Sequence, residues 1–144
     1  MLALLDHGGV SLNVGLKIHS SQTSLSRAVE TGKREVIEFL LSKGADVNTR
    51  EGWLGWLPII VASEKGDLDV LKMLVDHGAN INAQDADDRT ALMIAVKHRQ
   101  PAMIRFLLAH GADQNIKDKY KETVLEIAQS ENYTEAVEIL KGNK

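Results

Sequence analysis

The chain has 144 residues, of which 44% are apolar and 26% charged, with a formal net charge of −3 and no cysteine. That length suits one folded domain, the balance argues against bulk disorder, and the slight acidity argues against a nucleic-acid binder, which usually carries a strong basic excess. Without cysteine there is no disulfide framework, thiolate metal site or cysteine nucleophile.

The opening Met1-Leu2-Ala3-Leu4-Leu5-Asp6 lacks a basic flank, and its apolar run is too short for a signal peptide. No stretch reaches the roughly 18–20 apolar residues of a membrane-crossing helix. The default expectation is a cytoplasmic protein that does not engage a membrane, with the nucleus as the alternative. Leu4-Leu5-Asp6-His7-Gly8-Gly9 reads like Leu74-Val75-Asp76-His77-Gly78-Ala79, so residues 1–15 are expected to form a partial repeat. A linker at 14–22 exceeds the later spacing. The open edge of such a half-repeat calls for preceding repeats or for some other cover, a second copy of the chain included.

From Ser21 onward the chain copies itself. Leu40-Leu41-Ser42-Lys43-Gly44-Ala45-Asp46-Val47-Asn48 aligns with Leu74 to Asn82 and with Leu107 to Asn115, and the glycines Gly44, Gly78 and Gly111 are 34 and 33 residues apart. A second landmark begins at Thr23, Leu57, Thr90 and Thr123, at steps of 34, 33 and 33 residues, and places Ala28, Ala62, Ala95 and Ala128 in register. Each unit carries two short apolar segments with helical spacing. Leu25/Ala28/Val29 and Val36/Ile37/Phe39/Leu40/Leu41 belong to the first full unit, and Met103/Ile104/Phe106/Leu107/Leu108 close the third. Helices are predicted at 24–31, 34–42, 58–65, 68–76, 91–98, 101–109, 124–130 and 134–141. Helices that short are marginal alone, so neighbouring copies must supply the missing core. Thr23, Thr90 and Thr123 suit helix N-caps and Pro58 and Pro101 a first helical position. Gly44, Gly78 and Gly111 suit the left-handed turn after a helix. The links at 46–56, 80–89 and 113–122 are expected to be β-hairpin-like fingers.

These residues resemble the ankyrin repeat family, whose period is about 33 residues with a Thr-Pro-Leu-His-x-Ala motif. The resemblance implies an all-α solenoid of helix-turn-helix units, about four repeats plus an N-terminal half-repeat. One domain over 1–144 is expected, with repeats at 16–49, 50–83 and 84–116 and a C-terminal capping repeat at 117–144. The chain departs from the pattern in places. The motif histidine is replaced by Ser26, Ile60, Met93 and Glu126, and the glycine between helices survives as Gly32 and Gly66 but becomes Arg99 and Asn132. Leu57 cannot cap as threonine does. Polar Gln129, Ser130, Glu131 and Asn132 fit a terminal cap.

Members of the family bind protein partners through finger tips and the solvent face of each first helix. The resemblance therefore implies a binding surface of Trp53, Trp56, Glu64, Lys65, Asp87, Arg89, Lys97, His98, Lys119, Tyr120 and Glu122, extended by His19, Ser20, Gln22, Glu30, Thr31, Ala86, Ser130 and Glu131. Trp53 and Trp56, the only two tryptophans, share one finger. Each is either an interface anchor, as tryptophan often is, or a cover folded over the lengthened loop. The finger at 85–89 is mostly acidic and the next, at 117–121, mostly basic. They either meet complementary charges on a partner or are solvated turns. The acidic finger lacks the ligand pattern of an EF-hand calcium loop. His7, His77 and His110 recur at one repeat position, which marks a structural bond to the last helix carbonyls rather than a metal cluster. Asn48, Asn82 and Asn115 recur at the finger bases, where they are expected to hold the hairpin backbone.

No nucleophile motif, phosphate loop or zinc signature occurs, so the expected function is a non-catalytic protein-interaction module without cofactor or metal. The alternatives are a targeting or regulatory segment of a larger enzyme or effector, and a scaffold that self-associates through the N-terminal edge. A monomer is expected, with weak self-association as the variant. Nucleic-acid binding is not expected, because the one basic finger offers few phosphate contacts.

Overall fold

The computed structural model describes residues 24–50 and 56–142. Among them it holds eight helices and no strand: α1 (Ser24–Thr31), α2 (Arg34–Ser42), α3 (Pro58–Lys65), α4 (Leu68–Asp76), α5 (Ala91–Lys97), α6 (Pro101–Ala109), α7 (Val124–Ser130) and α8 (Thr134–Gly142). The expected partial repeat at 1–15, the linker and the cap at Thr23 lie outside the described residues, as does Trp53. Six helices match their predicted bounds. α5 stops at Lys97, one residue short, because His98 leaves helical geometry to become the C-cap. α8 runs one residue further, to Gly142.

Each pair forms a helix hairpin, and the first helices α1, α3, α5 and α7 stack in one row while α6 and α8 pack in the outer row. An inner helix with neighbours on both sides is buried all round its first two turns. Pro58 to Ser63 of α3 and Ala91 to Val96 of α5 are all buried, the signature of a helix without a solvent stripe. The small residues Ala62, Ala95 and Ala128 are fully excluded from solvent in that row. The core is one continuous cluster running from Leu25 to Leu140. Removing a fully buried Leu74 or Leu107 side chain to Ala would cost about 2–5 kcal/mol, and the loss would be felt by both neighbouring repeats.

The helix ends follow local chemistry. The Thr90 hydroxyl accepts from the Met93 amide. Thr123 does the same for Glu126, whose carboxylate accepts in return from the Thr123 amide at 2.8 Å. Leu57 makes no side-chain cap, and Pro58 occupies the first helical position that needs no donor. At the other ends the turn glycines take φ of 87° (Gly44), 91° (Gly78) and 90° (Gly111). The turn at Gly78 brings the Ala79 amide to the Leu74 carbonyl at 3.0 Å, which satisfies a carbonyl that the helix leaves open. The histidines before these glycines do bond the helix. His77 Nδ1 donates to Met73 O at 2.9 Å and His110 Nδ1 to Phe106 O at 2.8 Å.

Arg99 and Asn132 keep the left-handed backbone of the glycines they replace, with φ 54° each. Arg99 offsets part of that strain: its Nη2 donates to Glu131 O at 2.7 Å, and its guanidinium lies 4.8 Å from the centre of the Tyr133 ring.

Candidate partner-binding surface

Each described finger is closed by one buried aspartate. Asp85 is only 7% exposed and accepts from the amides of Asp87 and Arg89, both at 2.9 Å. Asp118, 5% exposed, accepts from the amides of Tyr120 and Glu122 at 2.9 and 3.0 Å. Backbone bonds complete a hairpin in each: Asp85 N to Arg89 O and Asp118 N to Glu122 O, both 3.0 Å. Asp88 and Lys121 take the left-handed position at the tips, with φ 60° and 67°. The acidic reading of the middle finger is thereby narrowed, since Asp85 faces inward and serves the turn.

The two fingers are also tied to each other. Lys119 Nζ lies 2.8 Å from Asp87 Oδ1, the Lys119 amide donates to Asp87 O at 3.0 Å, and Gln84 Nε2 donates to Asp88 O and Lys117 O at 2.8 and 3.3 Å. The hydrogen bond from Lys119 holds the Asp87 carboxyl below its ordinary range, and the same bond holds the Lys119 ammonium above its own. Charges that the sequence leaves open to a partner or to water satisfy each other within the chain.

The residues just before each N-cap form a second row, Trp56, Arg89 and Glu122, one per repeat. Arg89 is held from two sides: Nη2 lies 2.7 Å from Asp85 Oδ2 and 3.1 Å from Glu64 Oε1. Desolvation opposes the Arg89 charge, yet the hydrogen bond and charge of Asp85, with Glu64 and Asp87, keep its pKa raised. One repeat on, the charges are reversed, with Lys97 at the place of Glu64 and Glu122 at the place of Arg89; among the described residues no ion pair matches the Arg89–Glu64 contact there. Trp56 is half-buried and packs against the core, so the covering reading has direct support for that tryptophan.

Lys65, Lys97 and His98 are exposed at the ends of the inner helices. Tyr120 stands out most: 70% exposed, it is the exposed large hydrophobic among the described residues. Its ring lies 5.2 Å from Lys119 Nζ.

The sequence reading missed three contacts of this surface and its support. Gln84 offers no signal beyond being polar. Glu126 was legible as the end of a Thr-x-x-Glu capping box but stands first as a lost motif histidine. Gln100 reaches back one repeat, with Nε2 3.4 Å from Ser63 O, beside Gly66. The recurrent asparagines do more than brace their own hairpin, as Asn48 and Asn82 each bond the turn of the following repeat. An open cleft of about 480 Å³ lined by Arg105, Ala109, Glu135, Glu138, Ile139 and Gly142 lies on the outer row, and none of the predicted residues lines it. Among the described residues no group of three or more His, Asp or Glu side chains is placed to hold a metal ion. No helix there is long and apolar enough to cross a membrane.

A family model described as ankyrin repeats in three copies matches residues 59–144, and one described as ankyrin repeats in many copies matches residues 25–74. The chain is 39% identical over 93 residues to B-cell lymphoma 3 protein homolog of Mus musculus, a match covering 62% of this chain and 20% of that protein. It is 36% identical over 73 residues to 2-5A-dependent ribonuclease of Mus musculus, covering 51% of this chain and 10% of the relative. With Rabankyrin-5 of Homo sapiens it shares 30% identity over 95 residues, 58% of this chain and 8% of the relative. The matched stretch is thus 20% or less of the length of each of these relatives. Ankyrin repeats mediate protein–protein interaction and are not themselves catalytic. With four stacked helix pairs, asparagine-bridged turns and a family match over more than half its length, this chain belongs to the ankyrin-repeat family.

Proposed function

We propose that the chain is a non-catalytic module that binds a protein partner through its finger tips and concave helical face. The observation that carries this reading is Tyr120. Among the described residues every other large apolar side chain is buried or half-buried, and this one is 70% exposed on a fixed hairpin. Hot spots are enriched in tyrosine, tryptophan and arginine, and a tip tied by Asp118 and by the Asp87–Lys119 link is ordered before binding, which lowers the entropy cost of association. Glu64, Lys65, Arg89, Lys97, His98 and Glu122 form the flanking polar rim, and Trp56 shares its base. Trp53 joins the proposed surface on the family resemblance alone.

The module fits a cytoplasmic or nuclear adaptor, organised as one domain over 1–144 with the repeat bounds expected above. A second reading is a targeting or regulatory segment of a larger protein. It draws support from the small share, 10%, that the matching stretch occupies in 2-5A-dependent ribonuclease.

Affinity purification from source cells with the wild type beside Tyr120→Ala tests the proposal. A partner recovered stoichiometrically by the wild type should be lost from the variant, in line with about 2 kcal/mol or more for a hot-spot tyrosine. Equal recovery by both, with unchanged urea midpoints, would remove Tyr120 from the interface.

A further inference from the structure

The inner row leaves little of itself in solvent. With Pro58 to Ser63 and Ala91 to Val96 buried, α3 and α5 expose only their C-terminal ends, at Glu64-Lys65 and Lys97-His98. On that strip the acid is occupied, since Glu64 is bound by Arg89 at 3.1 Å. The bases are not. The side chains of Lys65, Lys97 and His98 make no hydrogen bond or ion pair among the described residues, although the chain as a whole is acidic, at −3. Lys65 and Lys97 are the last residues of the stacked helices α3 and α5, and His98, the C-cap of α5, holds the repeat position of Lys65, so these basic positions stand roughly 8–10 Å apart, the usual interaxial distance. At the next copy of that position the charge turns negative, with exposed Glu131, and bounds the strip.

We infer that this strip docks an acidic segment of a partner protein, extended across the second and third repeats with carboxylates three residues apart. In a polyproline-type extended chain residues i and i+3 share one face at a step of about 9 Å, which matches the helix-to-helix step. The positive charges outweigh the fractional negative charge of the helix ends, about half a unit each. Helix-end placement alone explains a lysine that stabilises its own helix. It does not explain why Lys97 and the cap residue His98 both stay unpaired while the acid beside Lys65 is neutralised. The inference rests on the protein-binding reading above and gives that partner its chemistry.

The test uses the full chain and an acetylated, amidated peptide of sequence Glu-Pro-Pro-Glu-Pro-Pro-Glu, with glutamine and lysine analogues as controls, read by amide shift mapping. The glutamate peptide should shift the amides of Lys65, Lys97 and His98, and weaken steeply between 50 and 200 mM salt, as screened charge contacts do. Lys65→Gln/Lys97→Gln should weaken it by about five-fold or more, and the paired Glu variants should abolish it, with urea midpoints confirming folded protein. Equal binding of the glutamine peptide, or shifts elsewhere, would overturn the inference. So would tighter binding of inorganic phosphate or of a single-stranded oligonucleotide at the same residues. If the inference fails while Tyr120→Ala still loses a partner, the interaction module stands and only its acidic ligand falls.

Discussion

Asn48 of one repeat holds the turn of the next: its Nδ2 donates to Gly78 O at 3.0 Å and its Oδ1 accepts from the Asn80 amide at 2.8 Å. Asn82 repeats the arrangement on Gly111 O at 3.3 Å and the Asp113 amide at 2.7 Å. One side-chain amide thereby satisfies a donor and an acceptor on a neighbour about 30 residues away, and converts stacked helices into a registered array. Asn48→Ala and Asn82→Ala should each lower stability by about 1–2 kcal/mol, given net values near 1 kcal/mol per bond. Asn115→Ala, beyond which no further repeat is described, should cost less. Urea unfolding of the three variants gives the comparison.

The start of α7 carries the second prediction. Thr123→Ala removes the hydroxyl that accepts from the Glu126 amide, a cap worth about 1 kcal/mol, while the backbone amide at 123 still donates to the Glu126 carboxylate. Glu126→Gln should be nearly silent, because a glutamine oxygen accepts the same bond. Thermal midpoints separate the two outcomes: a large shift for Glu126→Gln would mean that the charge, and not the bond, matters.

Gly66 and Gly32 have nearly the same backbone, φ 69° and 71°, but different surroundings. A Cβ at Gly32 meets nothing within 4 Å, whereas one at Gly66 meets Gln100 Nε2 at 2.9 Å. Gly32→Ala should cost about 1–2 kcal/mol from left-handed strain alone. Gly66→Ala adds only a displacement of the flexible Gln100 end and of its 3.4 Å bond to Ser63 O, so it should exceed Gly32→Ala by about 1 kcal/mol or less, and in a Gln100→Ala background it should cost no more than Gly32→Ala. Urea midpoints of this double-mutant set measure the coupling.

The Asp87–Lys119 link has a defined pH window. The folded pKa of Asp87 lies below the ordinary 3.8, chiefly through the hydrogen bond from Lys119, so its contribution is present above about pH 4 and is lost as pH falls through the lowered value. Lys119 lies above the ordinary 10.5 through the same bond, so its contribution is present below that pH and is lost as pH rises through the raised value. Both groups are exposed, and solvent keeps the energetic effect small. Carboxyl NMR of Asp87 should titrate low in the wild type and move up toward 3.8 in Lys119→Met; no change would mean the pair does not form in solution.

Most of the helical frame is legible in the sequence alone. Apolar spacing, Pro58, Pro101 and the turn glycines are local signals, and they placed six of the eight helices at their observed bounds. His77 and His110 also behave as their repeat position implied. What was not legible depends on which repeats come to lie side by side. Asp87 and Lys119 are 32 residues apart and pair only because the fingers align. Asp85 reads as one more surface acid until its bonds to the Asp87 and Arg89 amides show it turned inward. Arg99 and Asn132 show that a lost glycine need not change the backbone: both keep φ 54°, and at Arg99 the bond to Glu131 O offsets part of the strain. For the binding surface, family position selected the residues, but only exposure and pairing separate occupied Glu64 and Arg89 from available Lys65, Lys97 and Tyr120.

Amide hydrogen exchange of the chain with and without a stoichiometric partner tests the central claim most directly. The account predicts new protection at 64–65, 85–89, 97–98 and 117–122, with the outer helices at 34–42, 68–76 and 101–109 unchanged. Protection confined to those outer helices would contradict it.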